Sequence, residues 1–285
     1  MPRTHEPLIY EGTLDGSNWN NDVLRTADKR HMYNVLSGIP NFVDPSVEAW
    51  TEEEMKEVRK GNWIERNWRS QTEQMHESKS RRVEFCRRIA GSYGIVLDVA
   101  SGPGGGTVPG ILHFNPEAKV LMNDLGIRVL QEWQAFLRGS RIRSNVDFAA
   151  FDATFMPIRS GVLDVVTSSG GFGNIPGADK ALQETSRVLK LGGTLFMADG
   201  TLKEEDFSKF PKEVQSKWKA RFPGSIGGYR GMLRDAGLSI ISYEEIGVGT
   251  ISPDESKLGK LAARHGISLR FVGCYAEAEK RCDSR

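Results

Sequence analysis

The sequence predicts an α/β fold in which a mostly parallel sheet is covered by helices on both faces. From residue 95 onward, short apolar runs rich in β-branched residues alternate with helical segments of about ten residues. One predicted strand ends on Asp98 and breaks at once into a glycine-rich loop that reaches Gly106. Because alternating strands and helices of this length form βαβ units, we expect a Rossmann-like, doubly wound sheet.

The bulk composition is that of a soluble globular protein. The chain has 285 residues, of which 39% are hydrophobic and 26% charged, which suits one large α/β domain with a small appendage. No apolar run approaches the roughly 18 residues of a membrane span, and the start lacks the apolar core of a signal peptide, so a cytoplasmic protein is expected. The net charge of +1 gives no overall attraction to nucleic acid, although a local basic patch stays possible.

Cysteine usage predicts neither a disulfide framework nor a metal site. Cys86, Cys274 and Cys282 are too few and too scattered for paired bridges, and no C-x-x-C pair exists to hold zinc. We therefore expect reduced thiols with ordinary packing roles and no bound metal.

The first eighty residues differ from the rest of the chain. They hold four of the six tryptophans and show little strand alternation. We predict a short extended unit over residues 24–43 and helices over 51–68 and 72–90. The first helix starts at a hydroxyl cap followed by three acids. The expected organisation is an N-terminal extension and helical cap over residues 1–80 and a main domain over 81–285.

The main domain is predicted to contain a seven-stranded sheet. The predicted strands cover residues 95–99, 118–123, 146–151, 162–167, 194–198, 238–245 and 268–277. The predicted helices between them cover residues 107–114, 126–139, 179–189 and 227–236, the third closed by Gly192 and Gly193 and the fourth by Gly237. In such sheets ligands bind beyond the carboxyl ends of the strands.

The loop after Asp98 indicates a nucleotide site of a particular kind. Glycines let the backbone turn sharply and approach a ligand closely. A dinucleotide fingerprint G-x-G-x-x-G would need glycine at position 107, where this chain has Thr107. Asp98 would repel a pyrophosphate but attract a cation. S-adenosylmethionine fits, because it joins adenosine to a sulfonium and an ammonium and carries no phosphate.

From Ile95 to about Lys280 the chain resembles the class I S-adenosylmethionine-dependent methyltransferases of the small-molecule, type 11-like kind. Residues 98–104 match the family's first motif, D-x-G-x-G-x-G, except that Ala100 replaces the first glycine, which alanine tolerates if its φ stays negative. The resemblance implies that Asp98 neutralises charge near the cofactor's ammonium. It also implies that the loop backbone touches the methionine portion, through Ala100, Ser101, Gly102 and Gly104.

Acidic residues follow the next two predicted strands. Asp124 ends the second strand, where a carboxylate can accept both ribose hydroxyls or cap the following helix. Leu125 would then lie against the adenine. Asp152 and Ala153 match the family's D-A pair, which implies contacts to the adenine amino group and ring, although a surface turn explains an isolated pair equally well.

The fourth strand opens into Ser168, Ser169 and Gly170, where methyltransferases often place residues between methyl donor and acceptor. The segment lacks an Asn/Asp-Pro-Pro-Tyr/Phe clamp, which argues against methylation of an exocyclic base amine. It also lacks the carboxylate of metal-chelating catechol-type enzymes. Glycines at this position would leave room for the sulfonium and the acceptor. We count Ser168, Ser169 and Gly170 among the candidate cofactor-binding positions.

No catalytic residue is assigned from the sequence. The candidate bases by residue type are His31, His76 and His265, and candidate aromatic residues for the pocket are Tyr33, Trp63, Trp68 and Tyr229; packing explains each equally well. An apolar stripe over residues 207–222 suits either a lid over the acceptor site or an ordinary amphipathic helix.

The sequence favours an enzyme that transfers a methyl group from S-adenosylmethionine to a small-molecule acceptor by in-line displacement. Residues 30–43 also resemble the end of a zinc-ribbon-type module found in certain rRNA methyltransferases, but no cysteine stands in the first 85 residues. An rRNA or tRNA methyltransferase and a non-catalytic cofactor-binding module remain alternatives. A nicotinamide dehydrogenase is disfavoured by Asp98.

Overall fold

The computed structural model describes residues 8–11, 22–47, 49–76, 80–92, 94–140, 142, 145–222, 224–252 and 257–281. The strands of these segments are β1 (Leu8–Glu11), β2 (Asp22–Thr26), β3 (Met32–Leu36), β4 (Ile39–Asn41), β5 (Ile95–Asp98), β6 (Lys119–Asp124), β7 (Asn145–Ala150), β8 (Leu163–Ser169), β9 (Leu189–Leu202), β10 (Leu238–Thr250) and β11 (Arg270–Lys280). The helices are α1 (Glu52–Lys60), α2 (Trp63–Gln74), α3 (Arg81–Ala90), α4 (Val108–Phe114), α5 (Ile127–Gly139), α6 (Ala178–Val188), α7 (Glu204–Phe207), α8 (Lys212–Arg221), α9 (Gly224–Gly227), α10 (Arg230–Asp235) and α11 (Lys257–Arg264).

One sheet contains all of these strands, in the order β1-β2-β3-β4-β7-β6-β5-β8-β9-β11-β10. Strands β7, β6, β5, β8 and β9 run parallel, whereas β11 and β10 are antiparallel to their neighbours. The order reverses at β5, which lies between β6 and β8. The predicted doubly wound, mostly parallel sheet is thus confirmed, and β5 marks its switch point.

The N-terminal segment adds four strands to the seven that we predicted. Strands β1 to β4 pair antiparallel with one another, and β4 joins β7 in parallel through Asn41 and Ala150. The preference of a segment for a strand depends on the side chains that pack against it from neighbouring strands. The sequence alone therefore did not assign these strands to the sheet. The domain boundary at residue 80 stays a prediction.

Several predicted helix limits are wrong. The helix expected over 72–90 begins at Arg81, since residues 72–74 belong to α2, and the helix expected over 227–236 begins at Arg230. The helix expected over 51–68 divides into α1 and α2 at Asn62, whose φ is 49°. Helix α6 ends at Val188, and Gly192 and Gly193 lie inside β9. The ammonium of Lys280 donates to the carbonyl of Leu189 at 2.8 Å, which satisfies a carbonyl at the helix end without a glycine.

Helices cover both faces of the sheet, as predicted. Alternate residues of β5 enter different apolar clusters: Val96 packs with α4 and α5, and Leu97 packs with α6 and α10. This separation follows from the two-residue period of a strand. No helix of the described segments is long and apolar enough to cross a membrane. Cys86 and Cys274 are buried and unpaired, while Cys282 lies outside the described residues.

Candidate functional site

The loop after β5 turns through a run of left-handed backbone conformations. The φ angles are 53° at Ala100, 53° at Gly102, 73° at Gly105 and 54° at Gly106. The expectation that Ala100 keeps a negative φ is therefore wrong. Its backbone N–H donates to the Asn123 side-chain oxygen at 3.4 Å, and the next N–H donates to the Asn123 carbonyl at 2.9 Å. These hydrogen bonds hold Ala100 in a left-handed conformation. Glycine would adopt the same conformation without strain, because it has no Cβ.

Asp98 lies beneath the loop and holds it in place. Its carboxylate accepts from the Ser101 hydroxyl at 2.5 Å and from the Thr107 hydroxyl and N–H at 2.8 Å and 3.1 Å. A Cβ at Gly106 would come within 2.0 Å of an Asp98 oxygen, so this glycine permits the close approach. Burial raises the pKa of Asp98 to about 6, although the three donors oppose the shift. Its predicted contact with an ammonium stays a prediction.

Asp124 joins the loop to the start of α5. One carboxylate oxygen accepts the N–H of Gly126 at 2.8 Å, and the other accepts the N–H of Gly102 at 2.9 Å. The helix-start role that we weighed is therefore present, because Gly126 is the N-cap of α5. Burial raises the pKa of Asp124. Each carboxylate oxygen accepts up to two hydrogen bonds, so the ribose role stays possible and untested.

Trp50 is a site residue that the sequence analysis missed. Its indole N–H donates to the Asp124 oxygen that also accepts from Gly126, at 3.2 Å. A Cβ at Gly126 would lie 2.5 Å from the indole ring, and one at Gly102 would lie 3.7 Å from it. Because Trp50 and Asp124 are 74 residues apart, no local pattern could have indicated this contact.

Other side chains that the sequence analysis missed also hold the loop. Asn123 is buried, and its amide donates to the carbonyls of Ala149 and Phe151 at 3.2 Å and 3.0 Å. The Trp133 indole donates to the carbonyl of Gly102 at 2.9 Å. From α2, Asn67 donates to the Pro103 carbonyl at 3.1 Å. Helices α2 and α5 and strand β6 therefore hold this loop together.

Asp152 and Leu125 lie at the same edge of the sheet. The Asp152 Oδ1 atom accepts the N–H and hydroxyl of Thr154, both at 2.8 Å, in a turn after β7, and Ala153 is buried. Leu125 is half-buried and lines a cavity of about 510 Å³ between the start of α5 and residues 41–49. The turn that we weighed for Asp152 is thus present, and its adenine contact stays a prediction.

The residues at the end of β8 have different environments. Ser168 is fully buried and donates to the Val99 carbonyl at 2.9 Å, whereas the Ser169 hydroxyl accepts from Arg82 at 3.2 Å. Gly170 has a φ of 72° and lines a second cavity of about 750 Å³. The next residue, Gly171, approaches the loop after β5, because a Cβ there would lie 3.0 Å from that of Ala100. The cavity therefore lies beside this loop, and we call it the acceptor cavity after the position predicted for Gly170.

Asp199 faces the acceptor cavity from β9 and is a further residue that the sequence analysis missed. Its carboxylate accepts the N–H of Gly173 at 2.9 Å and that of Gly200 at 2.8 Å. Burial raises the pKa of Asp199, and the hydrogen bonds oppose the shift. The signal available in the sequence was an acid close to the end of a predicted strand.

The stripe over residues 207–222 divides between two places. Val214, Trp218 and Phe222 line the acceptor cavity. Phe207 and Phe210 are buried in the neighbouring apolar cluster with Leu202, Leu258 and Leu269. One part of the predicted stripe therefore packs the fold, and the other part faces the cavity.

Most of the other candidates pack away from these cavities. His76 packs edge-to-face on His113 with 5.0 Å between ring centroids, and His265 packs edge-to-face on Phe210 at 5.6 Å. Tyr33 packs on Phe42, and Trp68 packs on Trp133. The Trp63 residue is 40% exposed, and His31 lies in the turn between β2 and β3. Tyr229 is fully buried, with its hydroxyl near Gly173 and Asp199.

Comparison with solved structures supports the fold. A protein of Bacillus halodurans C-125, described as a candidate methyltransferase, aligns with a TM-score of 0.55 at 21% identity and covers 72% of this chain and 100% of its own. The YcgJ protein of Bacillus subtilis aligns with a TM-score of 0.51 at 17% identity, covering 70% and 98%. At these identities the likeness concerns the fold alone.

Comparison of sequences defines the family. The model of the ubiE/COQ5 methyltransferase family matches residues 53–210, which is more than half of the chain, and the chain belongs to this family. It is 33% identical over 104 residues to the ubiquinone/menaquinone biosynthesis C-methyltransferase UbiE of Idiomarina loihiensis and 36% identical over 104 residues to the demethylmenaquinone methyltransferase of Renibacterium salmoninarum. Each match covers 36% of this chain and 41% or 40% of the relative, so the chain spans about two fifths of their length. The motif-based recognition of a class I methyltransferase is confirmed.

Proposed function

We propose that this protein transfers a methyl group from S-adenosylmethionine to a small-molecule acceptor. One observation carries the proposal: the glycine loop after β5, Asp124 at the end of β6 and Asp152 after β7 share one edge of the sheet, and the acceptor cavity opens beside them at Gly170. Ligands of doubly wound sheets bind at this edge, next to the switch point.

The residues at this edge fit the chemical groups of S-adenosylmethionine. The left-handed turns from Ala100 to Gly106 bring backbone close to a ligand, Asp124 offers carboxylate oxygens to ribose hydroxyls, and Leu125 offers an apolar surface to adenine. S-adenosylmethionine supplies a methyl group on a good leaving group. The protein then has to align the acceptor with that methyl group, which the cavity beside Gly170 is placed to do.

The finer parts of the proposal concern the partner, location and domains. The relatives named above support a small organic acceptor and make nucleic acid a less suitable one, as does the net charge of +1. The proposal also includes a cytoplasmic location for the protein and a division of the chain into two domains, residues 1–80 and 81–285. The carboxylate nearest the acceptor cavity is that of Asp199, which makes it the first candidate for a proton acceptor.

Calorimetric titration with S-adenosylhomocysteine tests the cofactor half of the proposal. We expect the wild-type protein to bind and Asp124→Ala to weaken binding by about tenfold to a hundredfold, because a hydrogen bond to a charged group contributes about 1.5–3 kcal/mol. Asp147→Ala is the matched control, since Asp147 is exposed on the neighbouring strand β7. Absence of wild-type binding would contradict the function, and an unchanged affinity in Asp124→Ala would contradict the ribose assignment.

Transfer of radiolabelled methyl groups into cell extract tests the catalytic half. We expect label in a small organic fraction. A protein that binds the cofactor but labels nothing would be the non-catalytic module, and label confined to RNA would identify the nucleic-acid alternative.

A further inference from the structure

Resting on the proposed function, we propose that the acceptor cavity takes an amphipathic anion: a small molecule with an apolar body and one acidic group such as a carboxylate or phosphate. The cavity has a volume of about 750 Å³, which is in the usual range for small-molecule sites. The residues that line the cavity indicate the chemical class of its ligand.

The body of the cavity is apolar. Its wall residues come from several elements that are distant in the chain and include Leu202, Val214, Trp218, Phe222, Ile251, Leu258, Leu261 and Phe271. Leu202 and Leu258 belong to the buried apolar cluster behind the wall. An acceptor without an extended apolar part would leave this surface in contact with water, at a cost proportional to the area.

Helix α8 adds two cations to this apolar wall. The residues of α8 that line the cavity are Val214, Lys217, Trp218 and Arg221. Their spacing of three, four and seven residues places them on one face of the helix. One face thus combines apolar and cationic side chains, so an apolar ligand that reaches Trp218 also passes Lys217 and Arg221.

The charges around that face leave room for an acidic group. Lys217 forms an ion pair with Glu213 at 2.7 Å, with the two side chains 77% and 78% exposed. Such an exposed pair contributes little and is readily exchanged. The guanidinium of Arg221 lies over the Phe222 ring at 5.4 Å. Two cations and one carboxylate therefore give the outer part of the cavity a net positive charge.

The inner end of the cavity carries the opposite charge and sets the orientation of the ligand. Asp199 lies there beside Gly170 and Gly173. The carboxylate of Asp199 repels the acidic group of the ligand from the inner end, while Lys217 and Arg221 attract that group to the outer end. The acidic group would then point along α8, and the opposite end of the molecule would face Gly170, where the proposed methyl donor lies.

The test compares two ten-carbon probes, decanoate and 1-decanol, by displacement of a fluorescent apolar dye and by calorimetry. The test variant is K217Q/R221Q, and the matched control is K212Q/K219Q, which removes the same charge from residues of α8 that do not line the cavity. We expect decanoate to bind the wild-type protein more tightly than decanol. The test variant should lose about tenfold in decanoate affinity and leave decanol binding unchanged.

Several outcomes would overturn the proposal. Equal binding of the two probes, an unchanged decanoate affinity in K217Q/R221Q, or an equal loss in K212Q/K219Q would show that these side chains do not select an anion. Binding of neither probe would show that the cavity takes another class of molecule. No readout involves S-adenosylmethionine, so failure here is distinct from failure of the proposed methyl transfer.

Discussion

At the scale of single residues, the loop after β5 depends on backbone conformations that most side chains disfavour. Ala100 adopts a φ of 53° at the position where the D-x-G-x-G-x-G motif has glycine, and hydrogen bonds to Asn123 and Asp98 hold the backbone around it. A left-handed conformation costs an alanine roughly 1–2 kcal/mol. The loop therefore stores strain at the point where the site begins.

This strain predicts that Ala100→Gly stabilises the protein. Relief of the left-handed alanine exceeds the extra unfolded-state entropy of glycine, so the free energy of unfolding should rise by about 0.5 kcal/mol in urea titrations. Ala263→Gly is the control, because Ala263 lies exposed in α11 and should lose about 1 kcal/mol. Destabilisation by both substitutions would show that Ala100 is not strained.

At the scale of elements, the segment between β4 and α1 closes over the start of α5. Trp50 has a φ of 56°, its indole donates to Asp124, and its carbonyl accepts from Arg128 at 3.4 Å. The Asp124 oxygen that accepts from Trp50 also accepts from Gly126, so its two acceptor positions are filled. A ribose that needs both carboxylate oxygens has to displace the indole N–H.

This competition predicts that Trp50→Phe strengthens binding of S-adenosylhomocysteine. Phenylalanine keeps an aromatic ring but removes the competing donor, so the dissociation constant should fall by about twofold to tenfold, which corresponds to one ordinary hydrogen bond. Calorimetry on Trp50→Phe and on Trp63→Phe, whose indole is 40% exposed, provides the comparison. Weaker binding in Trp50→Phe alone would instead make Trp50 a wall of the cofactor site.

At the scale of the whole molecule, α3 is tied to the last strand by an ion pair across 189 residues. The two guanidinium nitrogens of Arg88 donate to the two carboxylate oxygens of Glu277 at 2.6 Å and 2.5 Å. The Glu277 side chain is 3% exposed and that of Arg88 48% exposed. The contact joins the helix that precedes β5 to β11, the last strand in the chain.

This contact predicts that Arg88→Gln destabilises the whole fold. Loss of the guanidinium leaves a buried carboxylate without its partner, and after allowance for the exposed side of the pair we expect about 2 kcal/mol in urea unfolding. The double variant R88Q/E277Q should recover much of this loss. Arg69→Gln, which breaks an exposed pair with Glu65, should change stability by less than about 0.5 kcal/mol. Equal effects of Arg88→Gln and Arg69→Gln would contradict the prediction.

The sequence by itself determined the parallel part of the sheet and the three acidic strand ends. Strand and helix periodicity is local, so β5, β6, β7 and β8 were predicted within two residues at each end. The order of the motifs also indicated the class I methyltransferases, because Asp98, Asp124 and Asp152 stand at or just after the ends of successive strands.

Only the tertiary structure decided which side chains surround those acids. Trp50, Asn123 and Trp133 hold the loop through contacts between segments distant in the chain, which no local pattern encodes. Asp199 follows a predicted strand, but only the fold places it in the cavity that α8 and α11 also line. The added strands β1 to β4 join the sheet for the same reason. The acceptor cavity depends on α8 packing near β9 and α11, so its apolar wall and its cations come together only when the chain folds.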